Sequence, residues 1–90
     1  MKKIAAMAEV YYIDLIPHNN AGPMGSAATL HAALSMPNVA MMEAPWVNGP
    51  RYPKVVKPFP KVVDGYALPL ENSGLGIEFD EVAASNTAFA

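Results

Sequence analysis

Between residues 12 and 43 an apolar run, a turn, an alanine-rich stretch and a second apolar run follow one another, and this succession constrains the fold more than any other feature. Residues 12–16, YIDLI, have the β-branched and aromatic character of a short strand. "NNAGP" then turns the chain, with Pro23 suited to the first helical position. Residues 25–36 predict a helix with Ala27, Leu30 and Leu34 as its heavier stripe, and Pro37 ends it by disfavouring helical geometry at Met36. Residues 39–43, VAMME, predict a second strand. Strand, helix and strand in about thirty residues is the size of a crossover between parallel strands. Parallel strands are seldom left open to water, and two of them make no stable sheet, so this α/β unit calls for neighbours that 90 residues do not contain.

The flanking segments fit that reading. Ile4, Met7, Ala8, Tyr11 and Tyr12 fall on one helical stripe, so residues 2–12 predict an amphipathic helix. Its start is poor: no capping side chain precedes it, and Lys2 and Lys3 stand at the positive end of the dipole. From Ala44 the character changes. Residues 44–61 hold five of the nine prolines and four of the six cationic residues, which predicts an extended segment with little regular pairing. "PRYPK" satisfies the PxxP spacing, but Val55, Val56 and Phe59 read as residues that lie against a parent surface. "VVDGYALPL" predicts a short strand or hairpin around Asp64-Gly65, and "EFDEVAASN" at most two helical turns. The division follows at residue 45: a terminal βαβ part over 1–45 and a Pro-rich tail over 46–90.

Composition narrows the function. Apolar residues make up 52% of the chain and charged residues 16%, too greasy for a disordered tail and poor in charge for a free-standing small domain. Self-association through uncovered apolar faces is therefore expected. A formal net charge of −2 gives no footprint for nucleic acid. Without cysteine there is no disulfide framework or thiolate metal site, and a cytoplasmic location is the default. Glu9 and Asp14 interrupt the apolar amino-terminal stretch, which argues against a signal peptide, and no apolar run has the length of a membrane span.

The chemistry gathers at the strand ends. Catalytic groups of parallel α/β architectures stand where the strands finish, and here His18 follows the first strand while Glu43 ends the second. If the strands are neighbours, about 4.8 Å apart, both side chains reach one mouth. A histidine titrates near working pH and can take or give a proton, and a glutamate beside it can hold an oxygen or orient a substrate. His31, inside the alanine-rich helix, is read as structural.

Five stretches in order, "KKIAAMAE", "IPHNNAGPMGSAATLHAALSMPN", "MMEAPW", "VVDGY" and "GLGIEFDE", resemble the carboxyl-terminal end of the mandelate racemase group of the enolase superfamily, most closely its sugar-acid dehydratases of the galactonate dehydratase type. The resemblance implies a fragment of a (β/α)8-type barrel: the end of the sixth helix, the seventh strand and helix, and the eighth strand. The tail would return to a capping domain absent from the chain. It further implies that His18 is the acid or base at the substrate's reacting carbon and that Glu43 hydrogen-bonds the substrate carboxylate as it becomes an enediolate. Asn19 and Trp46, which flank them, are the expected substrate-binding residues. Mg²⁺ is implied as cofactor, and a sugar acid or other α-hydroxy acid as substrate.

The family's three acidic metal ligands, the lysine on its second strand and the aspartate that orients the histidine have no counterparts in the chain. Glu9, Asp14, Asp64 and Glu71 lack the convergent spacing that a Mg²⁺ site needs. The expectation is therefore a piece of a dehydratase that is inactive alone and needs the upstream barrel and capping domain as partners. A racemase, epimerase or cycloisomerase of the same superfamily is the nearest alternative. A non-enzymatic module that binds itself or a partner through apolar faces is the alternative of another class.

Overall fold

The computed structural model describes residues 1–45 and 52–86. Helix α1, Lys2–Glu9, starts without a side-chain cap. Lys2 is used elsewhere: its Nζ donates to the main-chain oxygen and Oγ of Ser35 at 3.1 and 3.0 Å, where a cation favours the carboxyl end of the second helix. α1 ends three residues short of the expected position 12. Ile13 N–H bonds the Ala8 carbonyl and Tyr12 N–H the Glu9 carbonyl, while Tyr12 takes φ +56°. These paired bonds around a left-handed residue form a Schellman stop, which periodicity alone does not reveal. The expected stripe is also uncovered: Ala5 is buried, whereas Ile4, Met7, Tyr11 and Tyr12 are exposed.

Helix α2, Pro23–Leu34, begins and ends two residues before the expected 25–36. Pro23 occupies its first turn, and Ser35 tightens the end by donating its N–H and Oγ–H to Ala32 O. Ser26, Ala27, Leu30 and Ala33 form the buried face. Leu34 is 54% exposed, so Ala33 replaces it on the core stripe.

The two expected strands reduce to a single parallel rung. Leu15 pairs with Val39: Leu15 N–H donates to Asn38 O at 2.7 Å, and Ala40 N–H to Leu15 O at 3.0 Å. Order and direction are those of the crossover, but residues 12–16 and 39–43 do not extend into a ladder. A parallel pair without further strands buries too little to hold one. Asn38 reinforces the rung by donating Nδ2–H to the carbonyls of Ala5 and Ile13, each at 3.0 Å, which ties α1 to both extended segments.

The tail has more structure than its prolines suggest. A single turn, α3 (Tyr52–Val55), leads into β1 (Val56–Lys57), which pairs antiparallel with β4 (Glu78–Phe79). Val56 is only 1% exposed and so is covered by the chain itself, whereas Val55 and Phe59 are half-buried. β2 (Val62–Val63) and β3 (Tyr66–Ala67) form a hairpin whose turn residues, Asp64 and Gly65, have φ of 50° and 83°. Two positive φ values select the twist that a two-residue hairpin requires, and Gly65 adopts its angle without steric cost. The final helix α4, Glu81–Asn86, is capped by Asp80, whose Oδ1 accepts Ala83 N–H at 2.8 Å.

Among the described residues the buried apolar set is Ala5, Ala27, Leu30, Ala33, Met36 and Val56. It is dominated by small side chains, while many large ones lie outside. The Cα radius of gyration is 14.4 Å, against about 12 Å for a compact chain of this length.

Candidate functional site

The parallel rung at Leu15 and Val39 sends both segments out in the same direction. Their continuations carry Pro17, His18 and Asn19 on one side and Glu43 on the other. Gly25 shapes the return into α2, since a Cβ there would stand 2.5 Å from that of Ala21. The loop can therefore fold closely over the start of the helix.

At the mouth, His18 Nδ1 lies 2.8 Å from Glu43 Oε2. The side chains are 81% and 47% exposed, so the pair adds about 0–1 kcal/mol to stability, and its meaning is geometric. A neutral imidazole that donates Nδ1–H to the carboxylate keeps its lone pair on Nε2. That nitrogen can take up a proton and later release it. Glu43 Oε2 also accepts the main-chain N–H of Asn19 at 2.7 Å. Both donors thus meet on one oxygen, Oε2.

His18 and Glu43, expected to share one mouth, are thus in direct contact. Asn19, expected to flank it as a substrate contact, is 2% exposed. Its Nδ2 donates to Glu43 O at 3.1 Å and to Ser26 Oγ at 3.3 Å, and Ser26 Oγ donates in turn to Ala21 O at 3.2 Å. Trp46 lies outside the described residues. Ser26 was missed by the sequence reading. The available signal was a hydroxyl in the first turn of an otherwise small and apolar helix, just beyond the asparagines. His31 is held by the tail through a 3.0 Å contact between Nε2 and Leu75 O, a packing role distant in sequence from the mouth.

No cluster of three or more metal-ligating side chains occurs among the described residues. His18 and Glu43 alone do not fit a Mg²⁺ site, since that ion takes oxygen donors in an octahedral set. An open apolar groove lined by Leu30, Val39, Met42, Val62 and Tyr66 runs along α2 and the second segment, and neither His18 nor Glu43 lines it. Among the described residues no helix is long and apolar enough to cross a membrane.

Known proteins resemble the chain in sequence and in fold. A D-galactonate dehydratase family member of Streptomyces bingchenggensis is 36% identical over 87 residues, covering 94% of the chain and 21% of the relative. A D-galactonate dehydratase of Cronobacter sakazakii is 39% identical over 85 residues, covering 88% of the chain and 22% of the relative. The chain therefore spans about a fifth of the length of the curated relatives it matches. The solved mandelate racemase/muconate lactonizing enzyme of Jannaschia sp. CCS1 superposes with a TM-score of 0.86 at 34% identity, over 99% of the chain and 22% of that structure. The family model for enolase C-terminal domain-like proteins matches residues 1–83. With residues 1–83 matched, the chain belongs to the enolase C-terminal domain-like family.

Proposed function

We propose that the chain supplies the acid–base end of a sugar-acid dehydratase. In this reading residues 1–45 are the last part of the barrel, and residues 46–90 return toward a capping domain that lies outside these 90 residues. The substrate's α C–H bond breaks, its electron pair forms an enediolate, and the neighbouring C–OH bond then breaks to release water. His18 moves one of the two protons at Nε2, from the α-carbon or to the departing hydroxyl, and a group of the upstream barrel moves the other. Glu43 grips a substrate carboxylate oxygen through a proton shared at Oε1, because two bare carboxylates would repel. The metal implied by the family has no donor set among the described residues, so its ligands belong to other parts of the enzyme.

The observation that carries this reading is the 2.8 Å contact between His18 Nδ1 and Glu43 Oε2 at the end of a parallel rung. Relatives named as D-galactonate dehydratases supply the substrate class. The test is a chimera in which this chain replaces the matching segment of the Cronobacter sakazakii relative. D-galactonate should lose water in the presence of the chimera. A racemase reading is favoured by the resemblance to the Jannaschia structure. Exchange of the α-hydrogen with solvent deuterium, without loss of water from any of a panel of sugar acids, would select that alternative.

A further inference from the structure

We propose that Asp64-Gly65 is a self-modification site, at which the hairpin turn closes to a succinimide and reopens in part as isoaspartate. The chemistry uses two groups of the chain and water. The Gly65 main-chain nitrogen attacks Cγ of the protonated Asp64 carboxyl. The N–Cγ bond forms, the C–OH bond breaks, and the hydroxyl leaves as water with the amide proton. Water then adds to one of the two ring carbonyls. Cleavage of N–Cγ restores aspartate. Cleavage between the nitrogen and the main-chain carbonyl carbon of Asp64 leaves the chain running through Cγ, with the α-carboxyl free.

The sequence holds three aspartates, and the fold leaves one of them ready to react. After Asp14, the attacking nitrogen is committed: Leu15 N–H donates to Asn38 O at 2.7 Å. At Asp80 the carboxylate is committed, since Oδ1 accepts Ala83 N–H at 2.8 Å, and the side chain of Glu81 crowds the next nitrogen. At Asp64 neither the carboxylate nor the Gly65 N–H has a hydrogen-bond partner among the described residues. Both residues are exposed, and a Cβ built on Gly65 meets nothing within 4 Å. Glycine itself has no Cβ to shield the nitrogen. Ring closure requires Asp64 to rotate out of its turn conformation, and the hairpin gives way easily. Its strands are two residues each, and Val62, Val63 and Tyr66 are 40%, 50% and 76% exposed, the marks of a locally weak element.

Isoaspartate adds a backbone carbon inside a two-residue turn. The register of Val62 with Ala67 and Val63 with Tyr66 depends on that turn length. Val62 and Tyr66 also line the groove along α2, so the modification loosens this part of the tail from the helix.

The experiment incubates the full chain at about pH 6, where a fraction of carboxyl groups is protonated. Cleavage after Lys61 releases residues 62–90, and fragmentation of the backbone in a mass spectrometer locates isoaspartate residue by residue. A species lighter by one water should appear first. Isoaspartate should then accumulate at Asp64 at least about tenfold faster than at Asp80 in the same peptide. Equal rates at the two positions, or no isoaspartate at Asp64, overturn the proposal. Gly65→Ala should slow the reaction about tenfold although it strains the turn, because its methyl crowds the attacking nitrogen. An unchanged rate in that variant removes the nitrogen from the mechanism and overturns the proposal. If Gly65→Ala does not fold, the parent chain in oxygen-labelled water decides. Isoaspartate formed through the ring should carry one solvent oxygen at Asp64, and unlabelled isoaspartate overturns ring closure.

Discussion

At the residue scale, His18 and Glu43 divide the work by which atoms they leave free. The 2.8 Å contact commits His18 Nδ1 and Glu43 Oε2 to each other, and in the proposed reaction Nε2 and Oε1 are the atoms that work on the substrate. Glu43→Gln keeps an oxygen for the loop and an amide for the substrate but removes the transferable proton. In the chimera it should slow turnover about tenfold, equivalent to about 1.4 kcal/mol of transition-state stabilisation. Steady-state kinetics at saturating substrate checks this, and an unchanged kcat would show that Glu43 does not touch the reacting carboxylate. His31→Asn removes only the contact to Leu75 O and should leave kcat unchanged while costing about 1 kcal/mol of stability. The pair was legible in the sequence because both residues end apolar runs. Asn19 was legible only as a neighbour, since its burial depends on a carbonyl and a carboxylate 24 positions away.

At the element scale, local chemistry was easier to read than pairing. Pro23, Asp64-Gly65 and the segment around Asp80 act through their own backbone angles or side chains, so the start of α2, the hairpin turn and α4 follow from the neighbouring residues. Residues 12–16 and 39–43 carry strand composition but make one rung, because ladder length depends on neighbours that composition does not describe. The end of α1 was hidden because Tyr12, in place of glycine, takes the left-handed angle. Tyr12 is 98% exposed and makes little contact to lose. Tyr12→Gly should therefore stabilise the chain by about 1 kcal/mol, raising the urea midpoint seen by far-ultraviolet circular dichroism. Gly25→Ala should act in the opposite sense. A methyl at position 25 meets Ala21 at 2.5 Å, and the displaced loop should cost about 1–3 kcal/mol in the same titration.

At the scale of the molecule, small residues fill the core while large apolar ones lie outside it. Ile4, Met7, Val10 and Tyr11 are 64%, 71%, 73% and 76% exposed along and just beyond α1. The chain alone should associate in proportion to concentration, or behave as a loosely packed globule that binds hydrophobic dye. Sedimentation velocity checks the first, and a strict monomer with a sharp cooperative melt would count against the need for a larger barrel. Such a barrel is also where the proton chemistry has to be judged, because His18 acts only with a substrate before it. The most direct measurement is kcat of the chimera with D-galactonate before and after His18→Asn, which preserves size and some hydrogen bonding but removes proton transfer. Turnover should fall by about 10²–10⁴-fold with KM little changed. A variant that releases water as fast as its parent would contradict the assignment of His18 as the group that moves the proton.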